Sequence, residues 1–265
     1  DWLSNNLGDD SIVIVDLRGE GDYAAGHILG AVQLAAKPTF QEVDENGVPG
    51  MLPAAGHVAS ALSELGVDAG STVVFYDGST SLWSARALWA MDVYGHGDTR
   101  LLDGAWAHWS ASGFDTSTTP VTPAASTYIF KDAPNTSLIA SWEEVVIAIN
   151  DPAKIVCDVR TPEEYAGEDV RSDFVGHVPG AVNVNWNRAV NADGEFLPVS
   201  ELRLLYEGEG IEGDIVVFTM CQSRVRASHS WFVLHELLGY ESVKVYDGSW
   251  HEWGNRDDLP ITTEG

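Results

Sequence analysis

The chain repeats itself. Val13-Ile14-Val15-Asp16-Leu17-Arg18, followed by Gly26-His27-Ile28-Leu29-Gly30-Ala31-Val32, returns as Ile155-Val156-Cys157-Asp158-Val159-Arg160, followed by Gly176-His177-Val178-Pro179-Gly180-Ala181-Val182. Thr72 to Asp77 returns in the run that ends Met220-Cys221. Asp103-Gly104-Ala105-Trp106 with Trp109 returns as Asp247-Gly248-Ser249-Trp250 with Trp253. Four matches in one order mean a duplicated gene whose two halves share one fold. The spacing between equivalents is 142 residues at Asp16 and 150 at His27, which places an insertion in the second half around 167–174. From Asp77 onward a constant spacing of 144 is expected.

The 265 residues therefore divide into two domains, each of roughly 130 residues and large enough to bury a core. The stretch Thr116 to Thr127, with Pro120, Pro123 and many hydroxyls, is a poor helix and a poor strand; it predicts an extended linker. The expected boundaries are a first domain over 1–115, a linker over 116–137 and a second domain over 138–265. Within each half, short β-branched runs (Ile12–Val15, Val73–Tyr76, Val156–Val159, Ile215–Thr219) alternate with amphipathic stretches (Ser81–Tyr94, Trp142–Ile149, Ala227–Leu238). That alternation predicts an α/β fold, each half a mostly parallel sheet flanked by helices.

Charge narrows the function. Fourteen Lys and Arg against 40 Asp and Glu give a net charge of −26, a field that repels phosphate backbones, so nucleic acid is not an expected partner. The same excess suits a solvated surface, or a high-salt environment in which the self-repulsion is screened. No apolar run approaches the length of a membrane span, so no membrane partner is expected. A cytoplasmic location is expected, with an exported form left open because the chain begins at Asp1. The eight histidines fall at no metal-ligand spacing, and neither a metal nor any other cofactor is expected.

Only two cysteines are present, and their surroundings differ. Cys157 sits inside an apolar strand between Val156 and Val159, the context of a small buried hydrophobe. Cys221 stands where a buried strand ends and a helix begins, in Cys221-Gln222-Ser223-Arg224-Val225-Arg226. Ligands of parallel α/β sheets collect at that edge. A tight loop there can turn several backbone N–H groups inward, and Arg224 and Arg226 add two positive charges; both effects favour thiolate over thiol. Gln222, Ser223 and Val225 are expected to contribute backbone more than side chain. Arg171, in the inserted segment, and Trp186 are further candidates for lining the site. The equivalent of Cys221 is Asp77, which has no thiol chemistry, so the first half is expected to be catalytically silent.

These segments resemble those of tandem rhodanese-type sulfurtransferases over essentially the whole chain. The resemblance rests on the paired Asp-Leu/Val-Arg…Gly-His-Ile/Val-x-Gly-Ala-Val motifs and the Cys-x4-Arg loop. It rests too on the tail from Trp231 through Tyr246-Asp247-Gly248-Ser249-Trp250 to Trp253-Gly254, which looks like the thiosulfate branch. It implies two rhodanese-like domains, an active second one, and a double displacement. In that scheme Cys221 takes a sulfane sulfur from thiosulfate, becomes a persulfide, and passes the sulfur to a thiophilic acceptor: cyanide, a thiol or a sulfur-acceptor protein.

Three alternatives compete. The 3-mercaptopyruvate branch has a Ser-His-Asp relay, matched by position in Ser223, His27 and Asp16, but its substrate arginine is replaced here by Glu164 and its loop is uncharged. Asp16 and His27 recur as Asp158 and His177, which predicts a structural role for them instead. A cysteine phosphatase needs a loop one residue longer, Cys-x5-Arg. A persulfide-carrier module serving a partner protein would turn over poorly without that partner.

Overall fold

The computed structural model describes residues 1–263. Two compact units divide the chain: Asp1–Glu42, Leu52–Asn135 and Val190–Phe196 in the first, and Val43–Met51, Thr136–Ala189 and the chain from Leu197 on in the second. Each unit thus takes in one short stretch from the sequence of the other half. The 116–135 stretch is extended and bonded along the first unit: Tyr128 N–H donates to Ser63 Oγ at 2.9 Å, and Asn135 N–H to Val93 O at 2.7 Å.

In the first unit, strands β1 (Ile12–Asp16), β2 (Val32–Gln33), β3 (Thr72–Tyr76) and β4 (Thr99–Leu101) form a parallel sheet in the order β2-β1-β3-β4. In the second, β5 (Ile139–Ala140), β6 (Lys154–Asp158), β7 (Val182–Asn183), β8 (Val216–Met220) and β9 (Val243–Tyr246) make a parallel sheet in the order β7-β6-β8-β9-β5. The two share one topology, the second adding β5 at its edge. The central strands are apolar along their length because helices cover both faces of such a sheet. Val156, Phe218, Met220, Tyr246, Trp250 and Trp253 pack together in the second core; Ile14, Val74, Tyr76 and Trp109 do so in the first.

The duplicated motifs build the same lock twice. Arg18 donates from Nε and Nη2 to the Asp16 carboxylate at 3.0 and 2.6 Å and from Nη2 to Gly26 O at 2.6 Å, with its guanidinium 4.2 Å from the Trp106 ring centre. Arg160 does the same to Asp158 at 2.9 and 2.6 Å, to Gly176 O at 2.7 Å, and over Trp250 at 4.1 Å. His27 stacks on Tyr23 at 3.9 Å and His177 on Tyr165 at 3.6 Å, each with Nδ1 bonded to that tyrosine's carbonyl. Asp16 and His27 are thus held at the strand end in the same way as their repeats, Asp158 and His177. Buried bidentate pairs of this kind hold a fold by geometry, since removing one member strands the other charge.

The spacing of 144 does not hold through the helix after the central strand. The helices Leu82–Val93 and Val225–Phe232 begin 143 residues apart, so the loop of the second unit is one residue shorter. A single π-helical turn over Val233–Leu237 restores the count. His96 N–H reaches back five residues to Met91 O, whereas Tyr240 N–H reaches back six to Leu234 O. π-Turns of this sort record single inserted residues and often lie near functional sites. Among the described residues, no helix is long and apolar enough to cross a membrane.

Candidate active site

Cys221 follows β8 directly, at the carboxyl edge of the sheet, and is buried. Two features shape its loop. Trp250 and His251, in the first turn of the helix Ser249–Trp253, donate their N–H groups to Cys221 O and Gln222 O at 2.9 and 3.1 Å. A trans peptide sets its N–H opposite its C=O, and no peptide bond here is cis, so the N–H groups of Gln222 and Ser223 point away from that helix. Arg224 then adopts a left-handed backbone, φ 71°, which closes the loop and starts the helix Val225–Phe232. Such a conformation costs a non-glycine residue on the order of 1–3 kcal/mol and persists only where neighbours enforce it.

The Arg224 side chain ties this residue to its surroundings, although its equivalent Ser81 is left-handed too. The fully buried guanidinium donates to Gly248 O at 2.6 Å, to the carbonyls of Asp247 and Pro49, and to Met51 Sδ at 3.1 Å. The sequence suggests a donor-facing charge at Arg224; the structure instead makes it a brace beneath the loop, because four acceptors already surround it.

Arg226 is placed differently. Its Nη1 and Nη2 donate to Glu164 Oε2 and Oε1 at 2.6 and 2.8 Å. Burial works against its charge, but the pair with Glu164 and the neighbouring Cys221 sulfur more than offset this and raise its pKa. Glu164 is held in turn by a capping box at the start of the helix Pro162–Ala166. Its Oε2 accepts from Thr161 N–H at 3.1 Å while its own N–H donates to Thr161 Oγ1 at 3.2 Å. Burial pushes the Glu164 carboxyl up, yet the hydrogen bonds and charge of Arg226 dominate and bring it down to about 2. Arg171, half-exposed, lies 3.3 Å from Glu164 Oε1 and pairs also with Asp169.

The inserted segment 167–174 reaches the loop. Gln222 Nε2 donates to Ser172 Oγ at 3.1 Å and to Arg171 O at 3.4 Å, while its Oε1 is buried with no partner among the described residues. Ser223, Val225 and Arg226 are half-buried. Trp186, in a 3-10 turn, packs its ring edge-on to His229 at 5.3 Å. Burial pushes His229 down to about 3, leaving it a neutral packing group. Cys157 is fully buried in β6, and burial, with Asp158 and Glu209 nearby, pushes its thiol well up. Among the described residues, no three His, Cys, Asp or Glu side chains gather as a metal site.

The first unit shows what such a loop holds. Asp77 takes the place of Cys221: its carbonyl accepts from Trp106 N–H at 3.0 Å and its carboxylate from the N–H groups of Ser81, Trp83 and Ser84 at 3.0, 2.9 and 3.3 Å. The loop of the first unit thus carries a buried carboxyl group on its amides, and burial pushes that carboxyl up.

A rhodanese-like domain profile matches residues 1–112 and again 141–256. The chain belongs to the rhodanese-like family. A thiosulfate sulfurtransferase of Corynebacterium glutamicum is 35% identical over 274 residues, 99% of this chain and 88% of that protein. A protein of Thermus thermophilus named sulfur carrier protein TtuD is 34% identical over 272 residues, 98% of this chain and 94% of the relative. The solved wild-type structure of EanB, 22% identical, superposes with a TM-score of 0.85 over 97% of this chain and 64% of the EanB chain, which speaks for the fold alone. Family and relatives together make this rhodanese-like chain a sulfurtransferase in the general sense. The sequence reading passed over one member of its site, Glu164, which stood out only as the residue replacing an arginine; its signal was the Thr161-x-x-Glu164 capping box.

Proposed function

We propose that the chain is a thiosulfate sulfurtransferase working through a persulfide on Cys221. The observation that carries this reading is the exchange of Asp77 for Cys221 in two copies of one loop. Where the first unit seats a carboxylate on backbone amides, the second offers a thiol with the Arg226 guanidinium beside it. The amides of Val225, Arg226 and Ala227 precede the first helical bond, from Ser228 N–H to Arg224 O, and so have no helical acceptor.

In the first half-reaction the Cys221 thiolate attacks the outer sulfur of thiosulfate. A new S–S bond forms, the old one breaks, and sulfite leaves with its electron pair. Charge that builds on the departing oxyanion and on the persulfide is met by the loop amides and Arg226, donors fixed before the reaction starts. In the second half-reaction a thiophile attacks the outer sulfur of the persulfide and restores the thiolate; with cyanide the product is thiocyanate. The names of the Corynebacterium and Thermus relatives agree with a sulfur donor on one side and an onward acceptor on the other. The mercaptopyruvate relay is not favoured, because Asp16 pairs with Arg18 and His27 bonds to the carbonyls of Tyr23 and Thr119.

The test is thiocyanate formation from cyanide with each of the two donors. Thiosulfate should support turnover and the Cys221→Ser variant should abolish it. Turnover with mercaptopyruvate alone would overturn the donor assignment, and sulfur loading without cyanide turnover would favour a dedicated carrier.

A further inference from the structure

Arg226 does not stand alone beside Cys221. Both of its terminal nitrogens are bound by Glu164, at 2.6 and 2.8 Å, and that carboxylate is almost fully buried. Glu164 cannot swing away cheaply, because the same Oε2 closes the capping box with Thr161 N–H. Arg171 approaches the other oxygen at 3.3 Å from the solvent side. Four formal charges thus meet around Arg226, two positive and two negative, because Asp169 Oδ2 also holds Arg171 at 2.6 Å. The backbone at Arg171 and the side chain of Ser172 also accept from the Gln222 amide, so the inserted segment that carries Arg171 and Asp169 is fastened to the catalytic loop.

We propose that Glu164 is the positioning and specificity-determining residue of the site, holding Arg226 against Cys221 and, balanced by Arg171, setting the donor charge the site accepts. The inference rests on the sulfur-transfer reading and deepens it. A site with two unopposed arginines would favour the most highly charged anion available, sulfite product included. Glu164 lowers that field near the reacting sulfur, so a dianionic donor is bound less tightly and its product leaves more readily. Arg171 sits half in solvent, and its share is smaller and screened by salt.

The test compares two donors attacked by the same thiolate and differing in charge: dianionic thiosulfate and monoanionic methanethiosulfonate. Each loads one sulfur on the cysteine, releasing sulfite or methanesulfinate with the electron pair of the broken S–S bond. Their ratio of kcat/KM cancels any change in the thiolate itself. Glu164→Gln keeps the capping box, in which glutamine also serves, and should raise the thiosulfate-to-thiosulfonate ratio by roughly 5–10-fold, the size expected for one charge near the donor at an effective dielectric well above that of dry protein. Most of the rise should appear as a lower KM for thiosulfate. Arg171→Gln should lower the ratio by a smaller factor that fades at high salt, and the double variant should fall between the wild type and Glu164→Gln. Equal slowing of both donors, with the ratio unchanged in Glu164→Gln, would make Glu164 structural only and overturn the inference; a fall in the ratio would contradict its sign. If the wild type accepts sulfur from neither donor, it is the sulfur-transfer reading that fails instead.

Discussion

Asp77 and Cys221 occupy the same point in two copies of one fold. Each comes directly after the central strand, and each gives its carbonyl to a tryptophan N–H, Trp106 for Asp77 and Trp250 for Cys221. Asp77 gives its carboxylate to the loop amides, and Cys221 brings a thiol to the same position. The loop of the second unit is one residue shorter, with Arg224 rather than Ser81 in the left-handed position.

The carboxylate of Asp77 accepts three backbone N–H groups that no other acceptor in the loop replaces when it is gone. Asp77→Ala should destabilise the first unit by about 1–3 kcal/mol, the cost of leaving buried donors unmet. A lower urea midpoint at unchanged slope would show it, and sulfur loading of Cys221 should persist in the folded variant.

Asp16 and Asp158 are predicted to matter in the same way, through their arginines. Asp16→Ala and Asp158→Ala should each cost about 3–5 kcal/mol by leaving Arg18 or Arg160 buried without its partner. Equilibrium unfolding distinguishes this from a relay role. A variant of Asp16 that keeps full stability yet loses sulfur uptake from mercaptopyruvate would contradict the structural assignment.

Arg224 and Arg226, two residues apart, should fail differently. Arg224→Ala removes the brace beneath the loop and leaves several carbonyls unmet, a loss on the order of 3 kcal/mol in stability. Arg226→Gln also costs stability, because it strands the buried Glu164 carboxylate, but unlike Arg224→Ala it should in addition slow sulfur loading in the folded protein by roughly 100-fold, as removal of one pre-set donor does in other anionic transition states. Thermal unfolding paired with single-turnover loading separates the two.

The pair at Glu164 makes stability depend on acid. Its folded value of about 2 lies below the ordinary 4.5, so between the two the unfolded chain binds more protons, and stability falls as pH drops. The contribution is complete above about 4.5 and is lost on the way to about 2. Unfolding midpoints followed down this range should fall less steeply in Glu164→Gln than in the wild type.

Much of this was legible in the sequence. The Asp-x-Arg and Gly-His repeats announced two copies of one α/β fold because the same lock is needed at each strand end, and repeats at fixed order survive divergence elsewhere. Cys221 stood out because two arginines follow it where Cys157 has only apolar neighbours. The direction in which each arginine points was not legible: Arg224 and Arg226 differ through carbonyls at Asp247 and Gly248 and a carboxylate at Glu164, all distant in sequence. The missing residue in the loop was hidden as well, since the π-turn at Val233–Leu237 restores the spacing of 144 before the next shared motif.

The central claim is that Cys221 carries the sulfur. Intact mass of the full chain before and after thiosulfate, followed by peptide mapping, tests it most directly. The account predicts a gain of one sulfur atom, located on the peptide containing Cys221, absent from Cys221→Ser and removed by cyanide. A sulfur found on Cys157, or one still gained by Cys221→Ser, would contradict it.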